Sequence, residues 1–421
     1  MKLPKSVCLV LLLWSLASAA FAAERFRTDI NPALLCYQAF ALAPDLPEDD
    51  RRHLFATEWR GRAFDPRFEQ LIVKYDNQFK LLQRAALARV PCDWGVDLTP
   101  GPDALLPGLA KAKAIAQTAR LRVIWHLRHN RQNDARDELL TAFWLARNTA
   151  KDGVLIGALV QFAMESILVN SVAENLFEFS AKTLQELVAG LDASPARLTV
   201  QQCMAVEKSS VFDWFVTKVR ELQAEAPGDD AAVLAKIRAL LARILGDEGK
   251  PDPEFAESVI RASGGTSAGV LARLKELDPL YVELTALLGL PYDQYGSAAK
   301  AFEEKLTKHS NPLAQNFLSG IPKSRAKEFN IQAKLAMVRA AAGYRRHGDE
   351  GFRKVADPCG DGPFRFERLM VEGADRGFLL KSKLNTRGFE EALAFATAIA
   401  PPVYVDGANA GKPLPKEPAG K

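Results

Sequence analysis

Apolar residues recur at intervals of three and four through most of the chain, the spacing of an α-helical stripe. The stripe is clear over Phe68–Ala88, where Leu71, Tyr75, Phe79, Leu82 and Ala86 share one face. It returns from Leu109 to His129 through Ala112, Ala116, Ala119, Val123 and Leu127. After the polar turn Asn130–Asp134, a second stripe runs back through Leu139, Phe143 and Ala146. Two such helices joined by a short turn predict an antiparallel α-hairpin, with the small alanines marking close approach of the axes. Beyond Lys151-Asp152-Gly153 the polarity disappears on nearly every side. A helix apolar all round is normally covered all round, so Val154–Phe177 is predicted to be a buried central helix.

Helix starts are marked by a capping residue followed by proline: Asn31-Pro32, Asp65-Pro66, Ser194-Pro195, Asp252-Pro253 and Asn311-Pro312. The side chain accepts from an orphan amide, and proline gives up an N–H that would be unpaired anyway. Further helices are expected over Pro195–Ala224, Val270–Leu288, Gln294–Lys308 and Arg325–Arg346. No unit repeats at the roughly 34-residue period of a regular helical solenoid. The pattern therefore predicts a mainly α fold, an irregular array of antiparallel α-hairpins that is in part like tetratricopeptide repeats. Near Gly348 the period changes. Phe364–Leu369 alternates apolar and polar residues and Gly377–Lys381 is a second extended run, which together predict a small C-terminal β-hairpin.

The N-terminus adds a compartment to this picture. Lys2 and Lys5, the apolar run Val7–Leu16 and the small-x-small pattern Ala20-Phe21-Ala22 form a signal peptide with cleavage expected after Ala22. The domain reading is then signal peptide 1–22, helical domain 23–347, small α+β tail segment 348–399 and disordered tail 400–421. Export implies a periplasmic or extracellular protein. Val154–Val172 is not read as a membrane span, because Gln161, Glu165 and Asn170 interrupt it and charge is costly in mid-bilayer. Losing residues 1–22 removes two lysines and no acid, taking 55 basic residues to 53 against 51 acidic. That balance gives no reason to expect nucleic acid as a partner. Four cysteines remain after cleavage, Cys36, Cys92, Cys203 and Cys359, for which disulfides and buried free thiols are both open readings.

Tyr344-Arg345-Arg346-His347-Gly348, Asp357-Pro358-Cys359-Gly360 through Phe366, and Gly377-Phe378-Leu379-Leu380-Lys381-Ser382 resemble the DPxG segment that closes the major pseudopilins of type II secretion. The prepilin-type start that defines those proteins is missing from this chain. Asn31-Pro32-Ala33-Leu34, the Cys92-Asp93-Trp94-Gly95 loop and the apolar central helix together make the whole chain similar to a family of exported bacterial helical proteins with no assigned activity. The resemblance implies export and a helical body with a small β tail, and supplies no catalytic residue.

Candidate chemistry is sparse. Glu165, in the most apolar helix, needs a partner or a raised pKa, and Arg147 or Lys208 is the expected cation. If Glu165 and Glu207 faced one cleft they would form the acid and base of a hydrolase acting on an envelope polymer. Asn170 and Glu174 point to the other side of the same helix. Asp357, Asp361 and Glu367 offer the oxygen ligands that Ca²⁺ prefers, and the pseudopilin-like segment would place that ion in a secretion context. His126 and His129 are read as part of a solvated basic face, and Trp94 as a surface-covering ring. No nucleophile elbow, nucleotide fingerprint or zinc-protease motif occurs. The leading expectation is thus a non-enzymatic exported scaffold or binding protein whose helices offer a groove to a protein or peptide, with oligomeric state open.

Overall fold

The computed structural model describes residues 27–56, 59–244, 250–386, 388–398 and 402–414. The expected signal peptide, residues 1–22, lies outside them. Helices α1 (Pro32–Ala41), α2 (Glu48–Ala56), α3 (Pro66–Ile72) and α4 (Asp76–Ala86) precede a long loop. Helices α5 (Leu109–Arg128), α6 (Gln132–Thr149) and α7 (Leu155–Glu174) form the centre. A second run follows: α8 (Ala181–Ala193), α9 (Val200–Glu207), α10 (Trp214–Glu225), α11 (Asp230–Ile244), α12 (Pro253–Ala262), α13 (Ser267–Lys275), α14 (Asp278–Leu288), α15 (Tyr292–Thr307) and α16 (Pro312–Leu318). The long α17 (Ile321–His347) then returns to the centre, and α18 (Asp349–Arg353) leads to strands β1 (Arg365–Val371), β2 (Ala374–Thr386) and β3 (Phe389–Ala396).

The α5–α6 hairpin and the central helix appear as the hydrophobic pattern requires. Helix α7 packs against α5, α6, α9, α17 and β3, so its apolar sides each meet another element. Its length and composition alone would suffice to cross a membrane. The turn into α7 depends on Gly153, whose φ of +77° is strained for any L side chain, and a Cβ there would lie 2.7 Å from Val206.

Four of the five cap-proline pairs open helices: Asn31, Asp65, Asp252 and Asn311 each accept a backbone N–H inside the first turn. Ser194-Pro195 does not. Ser194 instead follows the last turn of α8, and Thr199 caps α9 through a reciprocal pair with Gln202. Residues 195–199 stay extended because their groups are used elsewhere: Arg147 donates to the Pro195 carbonyl and Arg197 reaches Glu165. The helix expected over Val270–Leu288 is two, divided at Glu276-Leu277. Helix α9 continues into a π-helical stretch, Lys208–Asp213, before α10.

The predicted hairpin is the first half of a three-stranded antiparallel meander ordered β1-β2-β3. Phe378 sits opposite Phe395 and Leu380 opposite Leu393. On that face Phe366, Phe378 and Phe395 stack with centroids 5.0 and 5.1 Å apart, and Tyr344 of α17 meets Phe378 at 5.0 Å. The sheet therefore shares the helical core. Its other face, Leu369, Val371, Leu379 and the alanines of β3, is covered by Val403. This differs from the expected disordered tail 400–421 over residues 402–414, and the rest of that tail lies outside the described residues. Residues 402–414 form a small hairpin: Ala394 N–H donates to the Val405 carbonyl at 2.7 Å, and Tyr404 N–H to the Lys412 carbonyl at 2.9 Å. The segment lacks helical or strand periodicity because its prolines and glycines make turns, and its order comes from the apolar sheet face it covers.

Candidate functional site

Glu165 sits on the third turn of α7 with no exposed surface. Two guanidinium groups hold it: Arg147, from the last turn of α6, through Nε, and Arg197, from the extended 195–199 segment, whose Nε lies 2.9 Å away. Arg147 also donates to the Pro195 carbonyl at 3.0 Å. Burial pulls the Arg147 guanidinium below its ordinary range, opposed by the Glu165 charge and reinforced by Arg197 and Arg339. The carboxylate is thus the anion at the centre of a cationic cluster, and Arg147 is its partner as one of the two expected cations. Lys208 pairs instead with Asp213 and Asp278.

Glu207, the last residue of α9, accepts the Leu155 N–H at 2.7 Å. It therefore satisfies an orphan amide at the start of α7, where the helix dipole favours an anion. Burial pushes its pKa up, with that hydrogen bond acting the other way. Leu155 and Glu165 are ten residues apart on one helix, which is a rise of about 15 Å. The structure does not bring the two glutamates to a common cleft.

Of the three C-terminal acids, Asp357 and Glu367 are likewise committed elsewhere. Asp357 is buried and accepts from Cys359 N–H at 2.9 Å, from Lys383 N–H at 2.7 Å and from Ser382 Oγ at 2.8 and 2.9 Å. It ties the Asp-Pro-Cys-Gly turn to β2. Glu367 lies 2.8 Å from Lys381 and 3.0 Å from Arg365, and these charges hold it below the usual carboxylate range. Asp361 is exposed. Among the described residues no group of three or more His, Cys, Asp or Glu side chains is placed to hold a metal ion.

Two further expectations are corrected by packing. His126 is not solvated but buried, with Nε2 3.0 Å from Glu138, which in turn is gripped by Arg122 through Nε and Nη2. Arg122 also reaches Asp76 at 2.7 Å, so this group pins α5 to α4 and α6. Trp94 is buried as well. Its indole N–H donates to the Asn148 carbonyl at 2.7 Å and its ring lies among Phe40 and Tyr37, so the Cys-Asp-Trp-Gly loop plugs the hairpin instead of covering it. Cys36, Cys92, Cys203 and Cys359 are all buried free thiols. Burial pushes Cys92, Cys203 and Cys359 up to about 12, which leaves them protonated and unreactive at neutral pH.

An open cleft lies on the opposite side of α7 from Glu165. It has a volume of about 390 Å³ and is walled by α5 (Gln117, Arg120, Leu121), α7 (Ile167, Asn170, Glu174) and the 403–406 arm of the C-terminal hairpin, with Phe55 and Leu414 at its edges. Arg60 also lines a second cavity of about 310 Å³, which continues along α5 past Ile124, Leu127 and Arg128. The polar walls are held in place. Arg120 grips Glu174 through Nε at 2.8 Å and Nη2 at 2.6 Å, and Asn170 donates to Asp406 at 3.0 Å. Asp406 is fixed from behind by Lys334 of α17 at 2.5 Å, and Lys334 also lies 3.5 Å from the buried Glu391 of β3. Burial would raise Asp406, but Lys334 and Asn170 hold it below the usual carboxylate range, while burial outweighs Lys334 at Glu391 and raises it.

Sequence reasoning missed this cleft. The signal was the pair Asn170 and Glu174 on the far side of an otherwise apolar helix. Their partners Arg120 and Asp406 lie 54 and 236 residues away, one of them in a segment expected to be without structure. Comparison with known families, with curated proteins and with solved structures finds no match for the chain.

Proposed function

We propose that the chain is an exported, non-enzymatic binding protein of the cell envelope, and that it holds its ligand in the cleft between α5, α7 and the C-terminal hairpin. The observation that carries this reading is the cleft itself. Three parts of the chain distant in sequence converge on it, its volume is that of a small-ligand site, roughly 300–1,000 Å³, and its polar groups are already positioned by internal partners. Such preorganisation lowers the ordering cost of binding. The carboxylate pair considered for a hydrolase is not on this wall: Glu165 lies on the other side of α7 between two arginines and Glu207 caps the helix start, while the cleft's own carboxylates, Glu174 and Asp406, are each paired with a cation. Export rests on the Lys2–Ala22 pattern.

The test is a thermal-shift screen against a chemically mixed library, run in parallel on the parent chain and on Gln117→Trp. Gln117 is an exposed helical position on the cleft wall, so the indole fills the space without entering the core. The expected result is a set of ligands that raise the melting temperature of the parent alone. Ligands that stabilise both chains equally, or none at all, would defeat the reading.

A further inference from the structure

We infer that the ligand of this cleft is a neutral oligosaccharide, an inference that rests on the binding reading above. The first argument concerns backbone. A peptide that binds by adding a strand needs a free edge for its N–H and C=O groups, and along Pro402–Val405 the carbonyls that would serve it are already taken. Both backbone groups of Tyr404 pair within the hairpin, and the carbonyls of Pro402, Val403 and Val405 are taken by Leu414 N–H, Arg60 Nη2 and Ala394 N–H. The other walls are helices, which satisfy their own backbones. These walls offer side chains in place of an open edge, which disfavours a peptide added as a strand and favours a ligand read by side chains alone.

The second argument concerns charge and donors. Three of the charged groups on the larger cavity are matched, Arg120 and Glu174 with each other and Asp406 with Lys334 behind it, so each presents hydrogen-bonding atoms with its charge answered. Guanidinium offers only donors and carboxylate only acceptors, whereas amides such as Gln117 and Asn170 offer both. A hydroxyl both donates and accepts, so a ligand dense in hydroxyl groups can satisfy this mixed wall in either direction without carrying a charge. The third argument concerns the lips. Phe55 and Tyr404 are 37% and 36% exposed, and both line the cleft. Aromatic rings in water lose little and gain much by covering an apolar face, and a pyranose ring presents such C–H faces between its hydroxyl edges.

The experiment uses the full mature chain on an array of neutral oligosaccharides of graded length, built separately on glucose, N-acetylglucosamine and xylose units. Hits are followed by calorimetric titration, with alanine peptides of matched length as the comparison probe. At least one saccharide series should bind, with affinity rising with length. Tyr404→Ala and Phe55→Ala should each weaken it about tenfold, the size of a lost aromatic contact. Gln117→Trp should abolish it, and all three variants should melt as the parent does. Saccharide binding unmoved by these substitutions overturns the inference. Binding of the peptides or of other library members in the cleft, with no saccharide, overturns the sugar assignment and leaves the binding reading standing. No Gln117→Trp-sensitive ligand of any class overturns both.

Discussion

Replacing Glu165 by glutamine tests whether this residue is a structural anion or a reserved catalytic group. The substitution keeps volume and removes charge. It leaves Arg147 and Arg197, whose side chains are 10% and 13% exposed, facing a neutral amide that can accept from one of them while turning its own N–H₂ toward the other. At an effective dielectric near 20, two unit charges about 4 Å apart interact by roughly 4 kcal/mol. Removing one partner from a buried ion pair costs about 3–5 kcal/mol in practice, because the remaining charge stays desolvated. Glu165→Gln should therefore lose about that much stability, with the loss at the upper end because two cations are stranded. Urea unfolding followed by tryptophan fluorescence and by far-ultraviolet circular dichroism measures it, as a lower midpoint with unchanged slope. The triple change Glu165→Leu, Arg147→Met, Arg197→Met should recover most of the loss, since a buried ion cluster and a well-packed apolar one are of similar stability. A loss below about 1 kcal/mol would refute the structural assignment. A gain in stability would refute it more sharply, because relief on mutation is what a strained functional carboxylate gives.

Glu207 yields a pH prediction. A carboxyl group whose pKa is raised on folding contributes stability that is complete below its unfolded pKa and is lost as pH rises through the folded one. Burial raises Glu207, so Glu207→Gln should flatten the decline in unfolding free energy between the ordinary carboxylate range and neutrality. A parallel pH profile in the two chains would count against it. Lys334→Met strands Asp406 and Glu391 without their shared cation, and should cost about 3–5 kcal/mol. Its signature is faster hydrogen exchange at Tyr404 and Lys412, and full protection there would be contrary evidence. Asn311→Ala removes the α16 cap and two bonds to the end of α13, at 2.7 Å to the Arg273 carbonyl and 3.2 Å to Glu276. The expected loss is about 1–2 kcal/mol, and a chemical-denaturation midpoint equal to the parent's would contradict it. Because Asp357 is saturated by protein donors, melting should be the same with added Ca²⁺ and with chelator, and a calcium-dependent rise would show that the turn opens to the ion.

Much of the scaffold was readable because helices announce themselves locally. Period, caps and prolines within one segment placed the α5–α6 hairpin, the central helix and four of five cap-proline starts. The failures share one cause. Ser194-Pro195 carries the same local signal as Asn31-Pro32, yet the segment stays extended because Arg147 and Arg197 draw it against Glu165. Strand β3, Phe-Glu-Glu-Ala-Leu-Ala-Phe-Ala, is built of good helix formers and was not foreseen; it is a strand because β2 offers a ladder and both sheet faces are covered.

The amino-acid sequence by itself determined the helical body, the burial of α7 and the need for a partner at Glu165, since these follow from periodicity and from the cost of an unpaired buried charge. Tertiary structure alone decided which cations answer Glu165, that Asp357 is a turn-builder, and that the last described residues are folded. It also decided that Asn170 and Glu174 face a cleft. Those outcomes depend on contacts between residues far apart in the chain, whose free energy exists only once α5, α7, α17 and the sheet have been brought together.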